Sequence, residues 1–344
     1  MIASDTVGFA ILGAGIVADT HKQAIAANVS AGARLVAVGH YNRERFPQIS
    51  AKFGVPCLGQ QELLAHPAVD VVCICTPSGQ HAAQVIAAAR AGKHVLVEKP
   101  MALSLADADA MIAACHRAGV KLGVAFQWRA LSLFQRIYRA IQAGDLGDLT
   151  LGTVAMPYYR SQAYYDQAGW RGTWALDGGG VLMNQGIHLV DLLVWYMGDP
   201  AAVQAHAGTL HRVIEVEDTL TATLRFSNGA LATIAATTTA APGFLHRLEI
   251  YGTKGGVQVK GDTLGKWRLA DRARETIELS GAAAPACAGA GSNGPAGHTG
   301  ILGDFIRALR QDRAPLIDGA EGRRSLMAVL KIYKAAGLLE PIHV

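Results

Sequence analysis

The chain has 344 residues, 51% hydrophobic and 17% charged, with 31 basic side chains against 27 acidic ones. That length favours two domains, and the low charged fraction excludes a largely disordered chain while pointing to large cores, a subunit interface, or both. A net charge of +4 with no run of five or six basic residues excludes the footprint of a nucleic-acid binder and leaves small anionic ligands compatible.

The N-terminus enters an apolar, strand-like stretch without a basic leader, and no run of 18 apolar residues occurs. Neither a signal peptide nor a membrane span is expected, which makes the cytoplasm the expected compartment. Five cysteines (Cys57, Cys73, Cys75, Cys115 and Cys287) lack metal-ligand spacing such as C-x-x-C. They read as buried reduced thiols, with no metal site expected.

The first 125 residues alternate between two periods. Short apolar runs at 8–12, 35–38, 69–75, 94–98 and 121–125 read as strands, and Ala-rich stretches at 18–27, 81–91 and 105–118 read as helices. Gly92 and Gly119 stand where helices stop. This is the pattern of a doubly wound parallel sheet, a Rossmann-type domain over 1–125.

Within it, Gly13-Ala14-Gly15-Ile16-Val17-Ala18 follows a strand and opens a helix. Gly13 permits a tight turn, Gly15 lets backbone approach a pyrophosphate, and Ala18 lets helix and strand pack closely. A purely structural glycine turn is the alternative. The next strand ends His40-Tyr41-Asn42-Arg43, with no acid until Glu44. Without an acid to hold a ribose hydroxyl, and with Arg43 able to reach a phosphate or simply to face solvent, NAD or NADP is expected with a slight lean to NADP.

Two further turns leave carboxyl ends of parallel strands: Thr76-Pro77-Ser78, followed by His81, and Glu98-Lys99-Pro100. Both are cofactor-side candidates, because ligands bind at that edge. Lys99 beside a nicotinamide suits proton transfer. A lysine at a solvated strand end is the plainer reading. Gln127 and Arg129 follow the 121–125 strand as cofactor- or substrate-side candidates.

Residues 126–344 read as a substrate-binding and oligomerisation domain. Strands at 219–226, 230–238, 247–251 and 256–260, the first two joined by a Ser227-Asn228-Gly229 hairpin, predict an open, mainly antiparallel or mixed sheet. One face would be available to a partner subunit, making a homodimer or homotetramer the expectation. A helix over 187–197 interrupts the strands. Residues 281–297 read as a loop without chemistry, and helices follow at 299–310 and 322–336.

The densest group of special residues is Trp170-Arg171-Gly-Thr-Trp174 through Gly178-Gly179-Gly180 to Asn184 and His188. Asn184 and His188 are spaced i, i+4 and share a face if the helix already begins there. His188 reads as catalytic, against the alternative of a satisfied core histidine. Asp191 suits helix capping or an ion pair better than orienting His188. Arg160, Trp170 and Arg171 are substrate-side candidates.

The Gly13–Ala18 turn, Glu98-Lys99-Pro100, the Gly178–His188 stretch and the tail 314–325 together resemble the glucose–fructose oxidoreductase / inositol dehydrogenase / rhizopine-catabolism family over nearly the whole chain. The resemblance implies a Rossmann domain followed by an α/β domain with an open sheet. It also implies a nicotinamide cofactor and a sugar, polyol or sugar-derivative substrate, without nucleic acid or membrane. Lys99 and His188 would be the catalytic lysine and histidine, both contacting substrate. Inositol dehydrogenase-like members carry Asp where this chain has Asn184, which should weaken His188 as a base and shift proton transfer toward Lys99. Two alternative readings stay open with this resemblance: a non-catalytic sugar or dinucleotide sensor, and a glycosidase using transient oxidation with a tightly held NAD.

Overall fold

The computed structural model describes residues 6–272 and 295–338. Cys287 and most of the expected loop lie outside the described residues. The described residues form two compact units: residues 6–130 with 295–323, and residues 131–272 with 324–338. The sequence-based boundary at 125/126 therefore falls five residues early. Residues 295–323, expected in the second domain, pack with the first, because a returning helix covers its sheet.

The first unit contains β1 (Val7–Leu12), α1 (Ile16–Ala27), β2 (Ala33–Gly39), α2 (Phe46–Phe53), β3 (Cys57–Leu58), α3 (Gln60–Ala65), β4 (Val71–Ile74), α4 (His81–Arg90), β5 (His94–Glu98), α5 (Leu105–Ala118) and β6 (Leu122–Ala125). Its six strands lie in the order β3-β2-β1-β4-β5-β6, all parallel. Every residue of β1 and β4 is buried, as expected where helices cover both faces. Gly92 and Gly119 adopt left-handed φ of 70° and 64° at the ends of α4 and α5, and Ser104 caps α5 by accepting the Asp107 N–H. The order reverses between β1 and β4, the switch point that opens a ligand crevice in such sheets.

The second unit carries α6 (Ser132–Gln142), β7 (Leu149–Pro157), α7 (Gln162–Asp166), α8 (Ile187–Met197), β8 (Pro200–Gly208), β9 (Thr219–Phe226), β10 (Leu231–Thr237), β11 (Arg247–Gly252), β12 (Gly255–Lys260) and β13 (Thr263–Leu269). Its sheet runs β13-β12-β11-β7-β10-β9-β8, antiparallel except for the β7–β10 pair. Alternate residues of β9 and β10 are buried. The buried face packs on α8, whose leucines and valines are enclosed, each contributing about 1.5–3 kcal/mol. A Cβ on Gly152 of β7 would lie 2.5 Å from the Met197 sulfur and 2.9 Å from Leu193, so glycine lets this helix sit close.

Two helices follow the undescribed stretch: α9 (Ala296–Arg310), which starts inside the expected loop, and α10 (Gly319–Ala335), within which the unit boundary falls. A Cβ on Gly123 of β6 would meet the Phe305 ring of α9 at 2.9 Å. No helix among the described residues is long and apolar enough to cross a membrane.

Candidate active site

The glycine turn sits at the switch point. Gly13 has φ 104°, and a Cβ there would lie 2.6 Å from the Cys75 carbonyl oxygen, so the β1 turn abuts the β4 turn. A Cβ on Gly15 would meet nothing within 4 Å, and Ile16 behind it is 77% exposed. Gly15 thus leaves backbone open at the N-terminus of a twelve-residue helix, the arrangement that accepts a pyrophosphate. The residues present fit a dinucleotide.

His40 follows β2 and accepts the Asn42 N–H on Nδ1 at 3.1 Å. Its ring stacks on Tyr41, which is 92% exposed. Arg43 lies beside Phe46 and pairs with Glu62 at 2.9 Å on the surface. A surface ion pair thus already engages the guanidinium expected to reach a phosphate.

His81 is buried, with Nδ1 2.8 Å from the Pro100 carbonyl oxygen and Nε2 2.9 Å from that of Thr76. It ties the β4 and β5 turns together, a bracing role in place of the cofactor contact expected for it. Thr76 donates its hydroxyl to Gln84, and Ser78 is buried just before α4.

Glu98 is the hub of the Lys99 turn. Its Oε1 lies 2.9 Å from Nε2 of both His21 and His298, and its Oε2 accepts the Lys99 N–H at 3.2 Å. Burial alone would raise this carboxyl, but the two imidazole donors outweigh it and hold Glu98 well below the usual carboxylate range. Ionised, it only accepts, so each histidine presents Nε2–H. The buried His21 is itself pushed down by desolvation, against the pull of its bond to Glu98. The three ligand atoms lie within 4.8 Å of one another, a spacing that these hydrogen bonds account for. Glu98, expected at the cofactor, therefore holds the Lys99 backbone from behind, and the Lys99–Pro100 peptide is cis.

Arg129 is corrected most plainly. It is 1% exposed and bonded to Glu321 at 2.5 Å. An enclosed guanidinium engaged in this way braces the first unit and is not a substrate-side group. Gln127 lies in the same turn, against Gly297 of α9.

In the second unit, residues 181–186 form a wide π-type turn before α8 begins at Ile187. Asn184 and His188 thus straddle a turn–helix junction, and both are half-buried. Asn184 donates Nδ2–H to Asp177 Oδ1 at 2.6 Å, while Asp177 Oδ2 accepts the Gly172 N–H at 2.9 Å. One carboxylate so fixes both Asn184 and the backbone beside Arg171. Asp191 accepts the Ser325 hydroxyl at 2.6 Å from inside α8.

Glu217 was not legible as part of the site. It is buried; Oε2 accepts the Gly180 N–H at 2.8 Å, and Oε1 accepts the Leu182 N–H at 2.9 Å and the Tyr333 hydroxyl at 2.7 Å. Burial pushes its carboxyl up to about 7 despite these donors. Tyr333 in turn accepts the Met183 N–H. A Cβ on Gly180 would lie 1.7 Å from the Glu217 carbonyl oxygen, which explains the last glycine of the triplet. The only sequence signal was an acidic pair, Glu217-Asp218, at the head of an apolar strand.

Arg160 donates to the Tyr159 carbonyl oxygen, and Arg171 to that of Tyr164. Trp170 lies half-buried beneath the Arg171 guanidinium at 5.4 Å.

Residues 7–126 match the oxidoreductase family with an NAD-binding Rossmann fold, and residues 134–258 match the GFO/IDH/MocA C-terminal domain. Among curated proteins, myo-inositol 2-dehydrogenase of Thermotoga maritima is 27% identical, covering 89% of both chains. The 1,5-anhydro-D-fructose reductase of Ensifer adhaerens is 31% identical over 80% of both. Among solved structures, the WlbA dehydrogenase of Bordetella pertussis, in complex with NADH and UDP-GlcNAcA, is 35% identical. It superposes with a TM-score of 0.85 over 96% of this chain and 97% of that one.

Proposed function

Because the chain belongs to the Gfo/Idh/MocA family of oxidoreductases, we propose that it moves a hydride between a bound nicotinamide dinucleotide and a secondary hydroxyl or ketone carbon of a sugar, polyol or sugar derivative. The observation that carries this reading is the Gly13–Gly15 turn at the β1/β4 switch point, with its open Cα and exposed helix N-terminus. Gly13, Gly15, Ile16 and Val17 would hold the pyrophosphate, His40 to Asn42 the adenosine side, and the Thr76–Ser78 and Lys99 turns the nicotinamide side. When bound, the dinucleotide supplies the hydride acceptor or donor.

The chain's own residues handle the proton. In the oxidising direction His188 takes the hydroxyl proton, and Lys99 donates a hydrogen bond to the same oxygen, stabilising the negative charge that develops there. Asn184, held by Asp177, would hold a neighbouring substrate hydroxyl. Asn184 carries no charge, so His188 is the weaker base and Lys99 takes a larger share. The same chemistry runs in reverse for a ketone.

Lys99→Ala and His188→Ala test this together. Each should lower turnover by roughly 10²–10⁴-fold while cofactor affinity, read by fluorescence titration with NADH, stays within threefold. Near-normal turnover in His188→Ala would return that residue to packing.

A further inference from the structure

Three arginines of the second unit gather where no carboxylate meets them. Arg160 and Arg171 both lie over the ring of Tyr164, with guanidinium carbons 5.2 and 4.2 Å from its centroid. Arg212 lies over Tyr159 at 5.2 Å, the residue whose carbonyl oxygen receives Arg160. All three are half-buried, and each has a buried Nε–H without an acceptor among the described residues. The other inward-held arginines behave differently: Arg129, Arg323 and Arg324 each pair with a carboxylate.

The acids nearby are engaged elsewhere. Asp218 accepts the backbone N–H groups of Leu210, His211 and Arg212, and Glu215 accepts that of Trp174. Asp166 accepts from Gln162, which also exchanges hydrogen bonds with the Val213 backbone and so pins the Arg212 loop to α7. Three like charges are thus held over the rings of Tyr159 and Tyr164 with no counter-charge among the described residues, an arrangement that favours an anion. Guanidinium forks match the paired oxygens of a carboxylate or phosphate. Asp177 links the group to the candidate site, since it holds the backbone after Arg171 and the Asn184 side chain at once.

We propose that Arg160, Arg171 and Arg212 form an anion subsite, so that the substrate is a sugar derivative bearing a carboxylate or phosphate group and not a neutral sugar or polyol. The proposal rests on the reading of the chain as a sugar oxidoreductase. It adds Arg212 to the substrate side, a residue no motif had singled out.

The test compares charged and neutral probes of the same shape. D-glucuronate is set against D-glucuronamide, and glucose 1-phosphate against methyl glucoside, with cofactor reduction followed and binding read separately by thermal shift. At least one acidic probe should exceed its neutral counterpart by 30-fold or more in kcat/KM, and which arm does so identifies carboxylate or phosphate as the anion. Arg212→Gln and Arg171→Gln should each cut that ratio at least tenfold, whereas Arg136→Gln, an arginine stacked on Trp267, should leave it unchanged. Raising salt should lower the ratio in wild type more than in Arg212→Gln.

Acidic and neutral probes within threefold of each other, or a ratio unmoved by the arginine variants, would overturn the proposal. Turnover of neutral sugars alone, with no binding of any acidic probe, would also overturn it while leaving the oxidoreductase reading intact. Acidic probes that raise Tm in wild type but not in Arg212→Gln, with no cofactor reduction by any probe, would support the subsite and count against the reaction.

Discussion

Glu217→Gln tests whether a buried carboxylate sets the turn that carries Asn184. The native side chain receives Gly180 N–H on one oxygen, and Leu182 N–H with the Tyr333 hydroxyl on the other. Glutamine keeps one acceptor and turns the other into an NH₂ group. In its better orientation the amide still serves Leu182 and Tyr333, leaving Gly180 N–H and its own NH₂ unsatisfied, at about 1–3 kcal/mol each. Against this stands relief from ionising a buried acid: a carboxyl raised to about 7 represents roughly 3 kcal/mol relative to its ordinary value. The net loss at pH 8 is then about 1 kcal/mol, or a Tm lower by roughly 2–4 °C. The folded-state value lies above the unfolded one, so this group's contribution is full below about pH 4.5 and is lost as pH rises through 7. The stability gap between wild type and variant should therefore be wider at pH 5 than at pH 8, by up to about 3 kcal/mol. Displacement of the turn should lower kcat/KM by roughly 10–100-fold without altering NADH affinity. Thermal melts at both pH values, with steady-state kinetics, decide it. A Tm within 1 °C of wild type, or a gap that does not change with pH, refutes the reasoning.

Gly15→Val should abolish dinucleotide binding yet fold, because its φ of −78° suits valine and its Cβ enters open space; a retained circular-dichroism spectrum with unchanged NADH affinity would sink the assignment. NADP should compete at least comparably with NAD, since β2 is followed by His40 and not by a carboxylate, and His40→Asp should shift preference toward NAD; a wild-type preference for NAD above a hundredfold would contradict this. The outward face of the second sheet carries Thr221, Thr223, Leu231, Thr233 and Ala235, exposed and uncharged, and should form a subunit interface. Light scattering at micromolar concentration should then give a dimer or larger, and Leu231→Lys should weaken it.

Where signals are local, the sequence reads well. Strand β5, helices α5 and α8, and strand β9 fall where apolar periodicity and glycine stops place them. Their boundaries are set by neighbouring residues, which is what a pattern can see. β8 and β13 escaped notice for physical reasons. β8 is rich in alanine and only Pro200 in it is buried, and β13 buries only Trp267, so neither shows the alternation of a half-buried strand. β3 is two residues long. The returning segment 295–323 could not be assigned to the first unit by periodicity, because α9 is amphipathic whichever sheet it covers. Its place is decided by such contacts as His298 with Glu98 and Phe305 with Gly123.

The candidate site divides along the same line. Gly13, Gly15, Lys99, Asn184 and His188 are legible because each belongs to a short motif whose spacing reflects a local turn. The groups that hold those turns are remote in sequence. Glu98 is fixed by His21 and His298, 77 and 200 residues away, and Glu217 meets Tyr333 116 residues on. The two acids do the same work with opposite electrostatics. Burial opposes charge on both, but imidazole donors overcome it at Glu98, whereas two amides and a phenol do not at Glu217. Glu98 therefore steadies the Lys99 turn above the ordinary carboxylate range and loses that effect in acid, while Glu217 favours its fold at low pH and loses that effect through neutrality. A turn that must present a lysine is backed by an acceptor that stays charged throughout the ordinary carboxylate range and above. The turn that presents an uncharged amide rests on an acid whose carboxyl burial pushes up to about 7.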